Sequence, residues 1–126
     1  MRGAYVDTSV VVAIAFSEPG AAAVARRLSE FEDVTASNLV EAELRSACRR
    51  ERRLVDRTLL DELKWIHTSR PLTREIARVL EAGYVRGVDC WHLATALYIA
   101  PDPRELVFLT LDQRQRDVAK TLGFAT

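Results

Sequence analysis

Short apolar runs alternate with amphipathic stretches along this chain, and the two periods set out an order of elements. Residues 3–7 read as a short buried strand, and residues 9–16 as an apolar helical turn ended by Ser17-Glu18-Pro19-Gly20. The next helix keeps Val24, Leu28 and Phe31 on one face and Arg26 and Arg27 off it, and Val34-Thr35-Ala36 follows as a second strand. Asn38 stands where a helix cap belongs, with Glu41 three residues on to complete a capping-box-like arrangement. That helix runs to about Arg53, its end crowded with arginine. The spacing of Val55, Leu59, Leu63 and Ile66 predicts another amphipathic helix over residues 55–66.

A brief extended piece precedes Pro71, and residues 73–82 then carry Ile76, Val79 and Leu80 at helical spacing. Residues 89–100 are nearly all apolar, so the helix they predict is buried on most sides. A strand at 106–110, a helix at 113–121 stopped by Gly123, and Phe124-Ala125 as a last edge strand complete the order. Strands separated by helices specify an α/β fold, with a central parallel sheet of four to five short strands flanked by helices. In such sheets ligands sit beyond the carboxyl ends of the strands, where Asp7 and Asp112 lie.

Composition narrows the class. At 126 residues, without repeats or linker-like stretches, the chain is expected to be a single domain over residues 1–126. Apolar residues at 48% and charged residues at 29% describe an ordinary soluble globule. No apolar run approaches the ~18 residues of a membrane span. The start, Met1-Arg2-Gly3-Ala4-Tyr5, lacks the apolar core of a secretion signal, so the chain reads as cytoplasmic and complete. Eighteen lysines and arginines offset eighteen acids, which argues against coating nucleic acid through bulk charge but leaves room for a local patch. Only Lys64 and Lys120 are lysines; the rest are arginines, suited to bidentate phosphate contacts. Cys48 and Cys90 fall in helical patterns and are expected as free, buried thiols.

Four acids change the picture. Asp7 closes the run Ala4-Tyr5-Val6, Asp89 opens the apolar helix, and Asp112 follows Leu106-Val107-Phe108-Leu109. Glu43 lies inside an apolar stripe, with Leu39 and Ala47 four residues away and Val40, Leu44 and Cys48 beside it. It is expected to point inward, where an unpaired carboxylate costs several kcal/mol. Together the four suggest one acidic pocket for a divalent metal, of the kind that works on phosphates. Each aspartate also has a plainer reading as a helix N-cap worth ~1 kcal/mol.

The neighbours divide similarly. Thr8, Ser9 and Thr110 adjoin two of the acids, as holders of metal-bound water or as simple caps. Glu41 is assigned to the surface, paired with Arg45 at the favourable four-residue offset. His92 is favoured as a hydrogen-bonded core residue, since His67 is the only other histidine and a zinc site would be poorly supplied. Asp117 is expected to face solvent, and Trp65 and Trp91 to pack. The run Arg49-Arg50-Glu51-Arg52-Arg53 is either a solvated helix end or a phosphate-gripping rim joined by Arg45, Arg114 or Arg116.

Four segments resemble a known family in its own order. Val6-Asp7-Thr8-Ser9 is similar to the opening motif of PIN-domain ribonucleases, and Ser37 to Arg50, centred on Ala42-Glu43-Leu44, to their second acidic motif. Gly87-Val88-Asp89-Cys90-Trp91-His92-Leu93-Ala94-Thr95-Ala96 resembles the third. Phe108-Leu109-Thr110-Leu111-Asp112, with a helix and Leu122-Gly123-Phe124 behind it, resembles the fourth. The length and the arginine-rich second-motif helix resemble VapC-type toxins of bacterial toxin–antitoxin pairs. The resemblance implies a PIN-like fold and an endoribonuclease whose acidic quartet, Asp7, Glu43, Asp89 and Asp112, binds Mg2+, with Mn2+ as substitute. It also implies a homodimer and a VapB-like antitoxin that lays its C-terminal segment over the pocket. Arg45, Arg49 and Arg114 are the candidates for holding the RNA backbone.

Rival classes fit less well. A phosphoacceptor receiver domain wants paired acids after its first strand, and a haloacid-type phosphohydrolase wants a second aspartate two residues after the first. Thr8 and Ser9 stand there instead. The remaining alternatives are a PIN nuclease of RNA processing that is not a toxin, and a catalytically silent PIN module that binds RNA or protein.

Overall fold

The first strand, β1 (Gly3–Val6), sits inside a four-stranded sheet and pairs in parallel with a neighbour on each side. The computed structural model describes residues 3–126; Met1 and Arg2, part of the expected lead-in to that strand, lie outside the described residues. The chain continues through α1 (Thr8–Ala15), α2 (Ala21–Leu28), β2 (Asp33–Ser37), α3 (Leu39–Glu51), α4 (Arg57–Asp61) and β3 (Lys64–Ile66). It ends with α5 (Thr73–Ala82), α6 (Gly87–Ile99), a 3-10 turn at Pro103–Glu105, β4 (Val107–Leu109) and α7 (Gln113–Leu122). The sheet order is β3-β2-β1-β4, all parallel, so the α/β expectation holds.

Strand alternation divides the core in two. Tyr5 and Phe108 point to one face, where their rings stack 5.3 Å apart beneath α5, α6 and α7. Ala4, Val6, Val107 and Leu109 point to the other, against Val10 and Val11 of α1 and Val40 and Leu44 of α3. With both faces covered, the strands carry apolar residues at nearly every position. Among the described residues no helix is long and apolar enough to cross a membrane. Cys48 and Cys90 are buried and unpaired with each other, as expected, and burial pushes the Cys90 thiol up.

Several expected elements are corrected. Residues 55–66 are not one helix: α4 stops at Asp61, a turn closes through the Leu63 N–H to Leu60 C=O bond, and Lys64–Ile66 pairs with β2. Leu63, Trp65 and Ile66 satisfy either period over so short a span, and the open edge of β2 decides for the strand. Lys64 ties that edge to Asp33 by a salt bridge. The Asn38 side chain makes no cap bond; Ser37 Oγ accepts from the Leu39 N–H at 3.1 Å and from Trp91 Nε1 at 3.0 Å. Glu41 pairs with Arg45 at 2.7 Å, on the surface as anticipated. The helix expected at 89 begins two residues earlier, which moves Asp89 into its first turn. Phe124-Ala125 forms a single parallel bridge to Val107, not a strand. That approach needs a sharp stop to α7, which Gly123 supplies at φ +111, a conformation side chains disfavour.

Candidate functional site

All four acids from the sequence line one cavity of about 540 Å³ beyond the carboxyl ends of β1 and β4. The rest of its wall is Thr8, Ser9, His92 and the turn Arg86-Gly87-Val88. Four elements deliver the acids: the end of β1, the body of α3, the first turn of α6 and the start of α7.

Asp7 is 2% exposed and caps α1. Its Oδ1 accepts from Ser9 Oγ at 2.6 Å and from the Val10 N–H at 3.3 Å, and its Oδ2 accepts from Thr110 Oγ1 at 2.6 Å. Burial pushes its carboxyl above the ordinary aspartate value, and the bonds from Ser9 and Thr110 offset only part of that. Glu43 departs from the expected inward orientation. It is partly exposed at the cavity wall, where Thr8 Oγ1 donates to its Oε1 at 2.5 Å and His92 Nε2 lies 3.6 Å away. His92 first, then Thr8, hold it below the ordinary glutamate range.

His92 is 1% exposed, hydrogen-bonded as expected, and stands directly behind Glu43. Its Nδ1 is hydrogen-bonded to Tyr5 Oη at 2.7 Å, and burial holds the phenol in its neutral form. On the other side of the ring, Nε2 lies 3.3 Å from Thr8 Oγ1, with the Glu43 carboxylate beyond it.

Asp112 caps α7 through the Gln115 N–H at 2.8 Å, and its own N–H donates to Thr110 Oγ1 at 3.0 Å. Asp89 sits 3.6 Å from Arg86 Nε, and its backbone carbonyl accepts from Gln115 Nε2 at 3.2 Å. Thr8, Ser9 and Thr110 therefore bond the acids themselves. Among the described residues, no three acids, histidines or thiols stand close enough together to hold a metal ion between them. The donors that face the cavity are nevertheless carboxylate and hydroxyl oxygens, the set that suits a hard cation retaining most of its water.

The arginines fall elsewhere. Arg45 is engaged by Glu41, Arg49 is exposed on the last turn of α3, and Arg114 lies over the Tyr84 ring; none lines the cavity. Arg86 does, and the sequence reading did not single it out.

Comparison with known proteins places this architecture. The PIN domain family matches residues 4–121. The chain is a PIN domain. Its relatives include Ribonuclease VapC46 of Mycobacterium tuberculosis, 33% identical over 128 residues, an alignment covering 99% of this chain and 96% of that protein.

Two further parts of this PIN domain escaped sequence reasoning. Gln115 is fully buried, with its amide between Thr110 Oγ1 at 3.1 Å and the Asp89 carbonyl, so one side chain links the supports of Asp7, Asp89 and Asp112. On the charged helix Gln113-Arg114-Gln115-Arg116 it read as one more polar residue. Its place three residues after the Asp112 cap was the available signal, since that position turns back over the helix start. Arg86 was legible in principle, being three residues before Asp89 at a helix entrance.

Proposed function

We propose that this PIN domain is the toxin of a toxin–antitoxin pair, an endoribonuclease that hydrolyses RNA phosphodiester bonds with Mg2+, or Mn2+ in its place. The observation that carries the reading is the meeting of Asp7, Glu43, Asp89 and Asp112 on one cavity wall. The name of the mycobacterial relative, a ribonuclease of VapC type aligned nearly end to end, supports the activity and the toxin role.

On this reading the four carboxylates would hold the ion, Asp7 first among them. A bound divalent ion supplies Lewis acidity toward phosphoryl oxygens and makes attacking water acidic enough to react near neutral pH. The chain's own side chains do the rest. Ser9 and Thr110 fix both oxygens of Asp7, so the buried carboxylate reaches the reaction in a single orientation. His92 and Thr8 keep Glu43 ionised, which favours a cation over a proton at that wall. Arg86, with its guanidinium at the mouth beside Asp89, offers a cationic contact for substrate phosphate. An acidic cavity repels RNA until it is neutralised, so rim cations and a bound ion act in the same direction.

The partners that go with this reading are an RNA substrate, a VapB-like antitoxin and a second copy of the chain, in the cytoplasm. The deciding experiment incubates purified protein with total cellular RNA in magnesium, in chelator, and as Asp7→Asn. Cleavage in the first condition alone is expected. Cleavage that persists in chelator, or in the variant, refutes the assignment.

A further inference from the structure

We propose that Tyr84 and Arg114 form a stacking subsite for the nucleobase beside the phosphate at the acidic cavity, an inference that rests on RNA being the substrate. The loop at residues 83–86 climbs along α7 toward its N-terminal end. A Cβ on Gly83 would lie 3.0 Å from Val118 Cγ2, and one turn nearer the helix start the Arg114 guanidinium carbon is 5.6 Å from the Tyr84 ring centroid. Both chain directions from this pair lead to the cavity. Arg86, two residues after Tyr84, lines it, and so does Asp112, two residues before Arg114. Two residues of extended backbone cover about 7 Å, so the ring stands close to the mouth.

Tyr84 is 67% exposed, although nothing in the fold requires an aromatic ring there. Val88 continues the apolar edge into the cavity wall itself. A flat ring with a guanidinium against it matches two parts of a nucleotide at once. The base stacks on the aromatic face, and the cation complements a flanking phosphate. An apolar protein partner would meet an unfavourable surface, since Arg114 lies against this ring and Arg86, Asp89 and Asp112 line the cavity next to it in the chain. Stacking tolerates any base, so Tyr84 holds the strand in place and leaves sequence preference to other contacts.

The test measures fluorescence anisotropy of a labelled single-stranded oligoadenylate and of an equally long abasic ribose-phosphate oligomer. Chelator is present so that both remain intact, and the proteins are wild type, Tyr84→Phe and Tyr84→Ala. Tyr84→Ala is expected to weaken oligoadenylate binding roughly tenfold, the effect of losing one base–aromatic stack, while Tyr84→Phe keeps the affinity. The abasic oligomer should bind all three proteins alike. Absent wild-type affinity for oligoadenylate, an unaffected Tyr84→Ala, or an equal loss on both oligomers overturns the proposal. So does a change in oligomeric mass of Tyr84→Ala with RNA affinity intact, which assigns the ring to a protein interface. Cleavage in magnesium is read in parallel. Failure of the wild type to cut, with Tyr84-dependent binding retained, removes the nuclease reading and leaves the stacking subsite standing.

Discussion

Replacing Thr110 by valine tests the support of the site with almost no change of shape. The hydroxyl donates to Asp7 Oδ2 at 2.6 Å and accepts from the Asp112 N–H at 3.0 Å. A methyl group fills the same space, so no cavity term enters, and the cost is that of the lost bonds alone. A hydrogen bond to a carboxylate contributes about 1.5–3 kcal/mol, and leaving a partly buried N–H without its partner costs about 1 kcal/mol more. The expected loss is therefore about 2.5–4 kcal/mol, a large fraction of a stability typically ~5–15 kcal/mol. Urea denaturation at neutral pH in chelator reads it directly. Thr121→Val is the control, because the Thr121 hydroxyl donates to the Asp117 carbonyl on an exposed face of α7, where such changes stay within ~0.5 kcal/mol. A Thr110→Val loss no larger than that of the control would mean that the hydroxyl does not hold Asp7, and the account of how the carboxylate is oriented would fail.

Further outcomes follow from the same contacts. In metal-free protein the stability should fall as pH rises from the ordinary aspartate value of 3.8 through the raised pKa of Asp7, because the folded state there keeps a proton that the unfolded chain has released. Asp7→Asn should flatten that slope in denaturation measured against pH, and a slope unchanged in the variant would refute the assignment. Glu43 has the opposite sign: its contribution is present above the ordinary glutamate value of 4.5 and is lost as pH falls through its lowered pKa. Glu43→Gln should accordingly cost a little stability at neutral pH and nothing at low pH, by thermal melting. Magnesium at ~100 times its dissociation constant should stabilise the parent by about 2.7 kcal/mol, on the order of 10 °C in melting temperature, with Asp7→Asn largely unresponsive. Equal magnesium shifts in both proteins would remove Asp7 from the ion site. Tyr5→Phe, which keeps the ring stacked on Phe108 but deletes the hydroxyl bonded to His92, should cost about 1 kcal/mol in urea and raise KM or lower kcat only through Glu43.

Much of this architecture was legible because the parallel sheet is buried on both faces. Ala4-Tyr5-Val6 and Val107-Phe108-Leu109 leave no choice but a covered strand, and the alternation of helices around them leaves little choice of connection. The region from Val55 to Ile66 was not legible, and the reason is local. A five-residue helix and a three-residue strand are each too short to show a period, and Lys64–Ile66 became extended because β2 offered it an unpaired edge. At the site, types were readable and partners were not. Asp7 and Asp112 stood out beside apolar runs, whereas Gln115 acquires its significance only when the start of α7 meets the first turn of α6. Glu43 was found for an imperfect reason: it interrupts an apolar stripe, but the stripe ends at a cavity and not in a core.

Asp89 is not a cap, since it lies inside the first turn of α6, but for Asp7 and Asp112 the plain and the chemical readings describe the same geometry. Capping fixes an aspartate in the extended conformation before a helix and uses one of its oxygens for a backbone N–H, as Asp7 does with Val10 and Asp112 with Gln115. Each carboxylate retains further lone pairs, and its position at the carboxyl end of a parallel strand turns them toward the crevice where ligands gather. The cap also aims the helix start, with its partial positive charge, at the acid, which offsets part of the burial cost before any ion arrives. For Asp7 the offset is incomplete and the pKa remains raised, so a proton and a cation compete for the same oxygens. Affinity for magnesium should therefore climb with pH across the range in which Asp7 ionises. Calorimetric titrations over a pH series rising from the ordinary aspartate value of 3.8 that give the same dissociation constant throughout, with no proton release between buffers of different ionisation heat, would show that the ion is not held through Asp7.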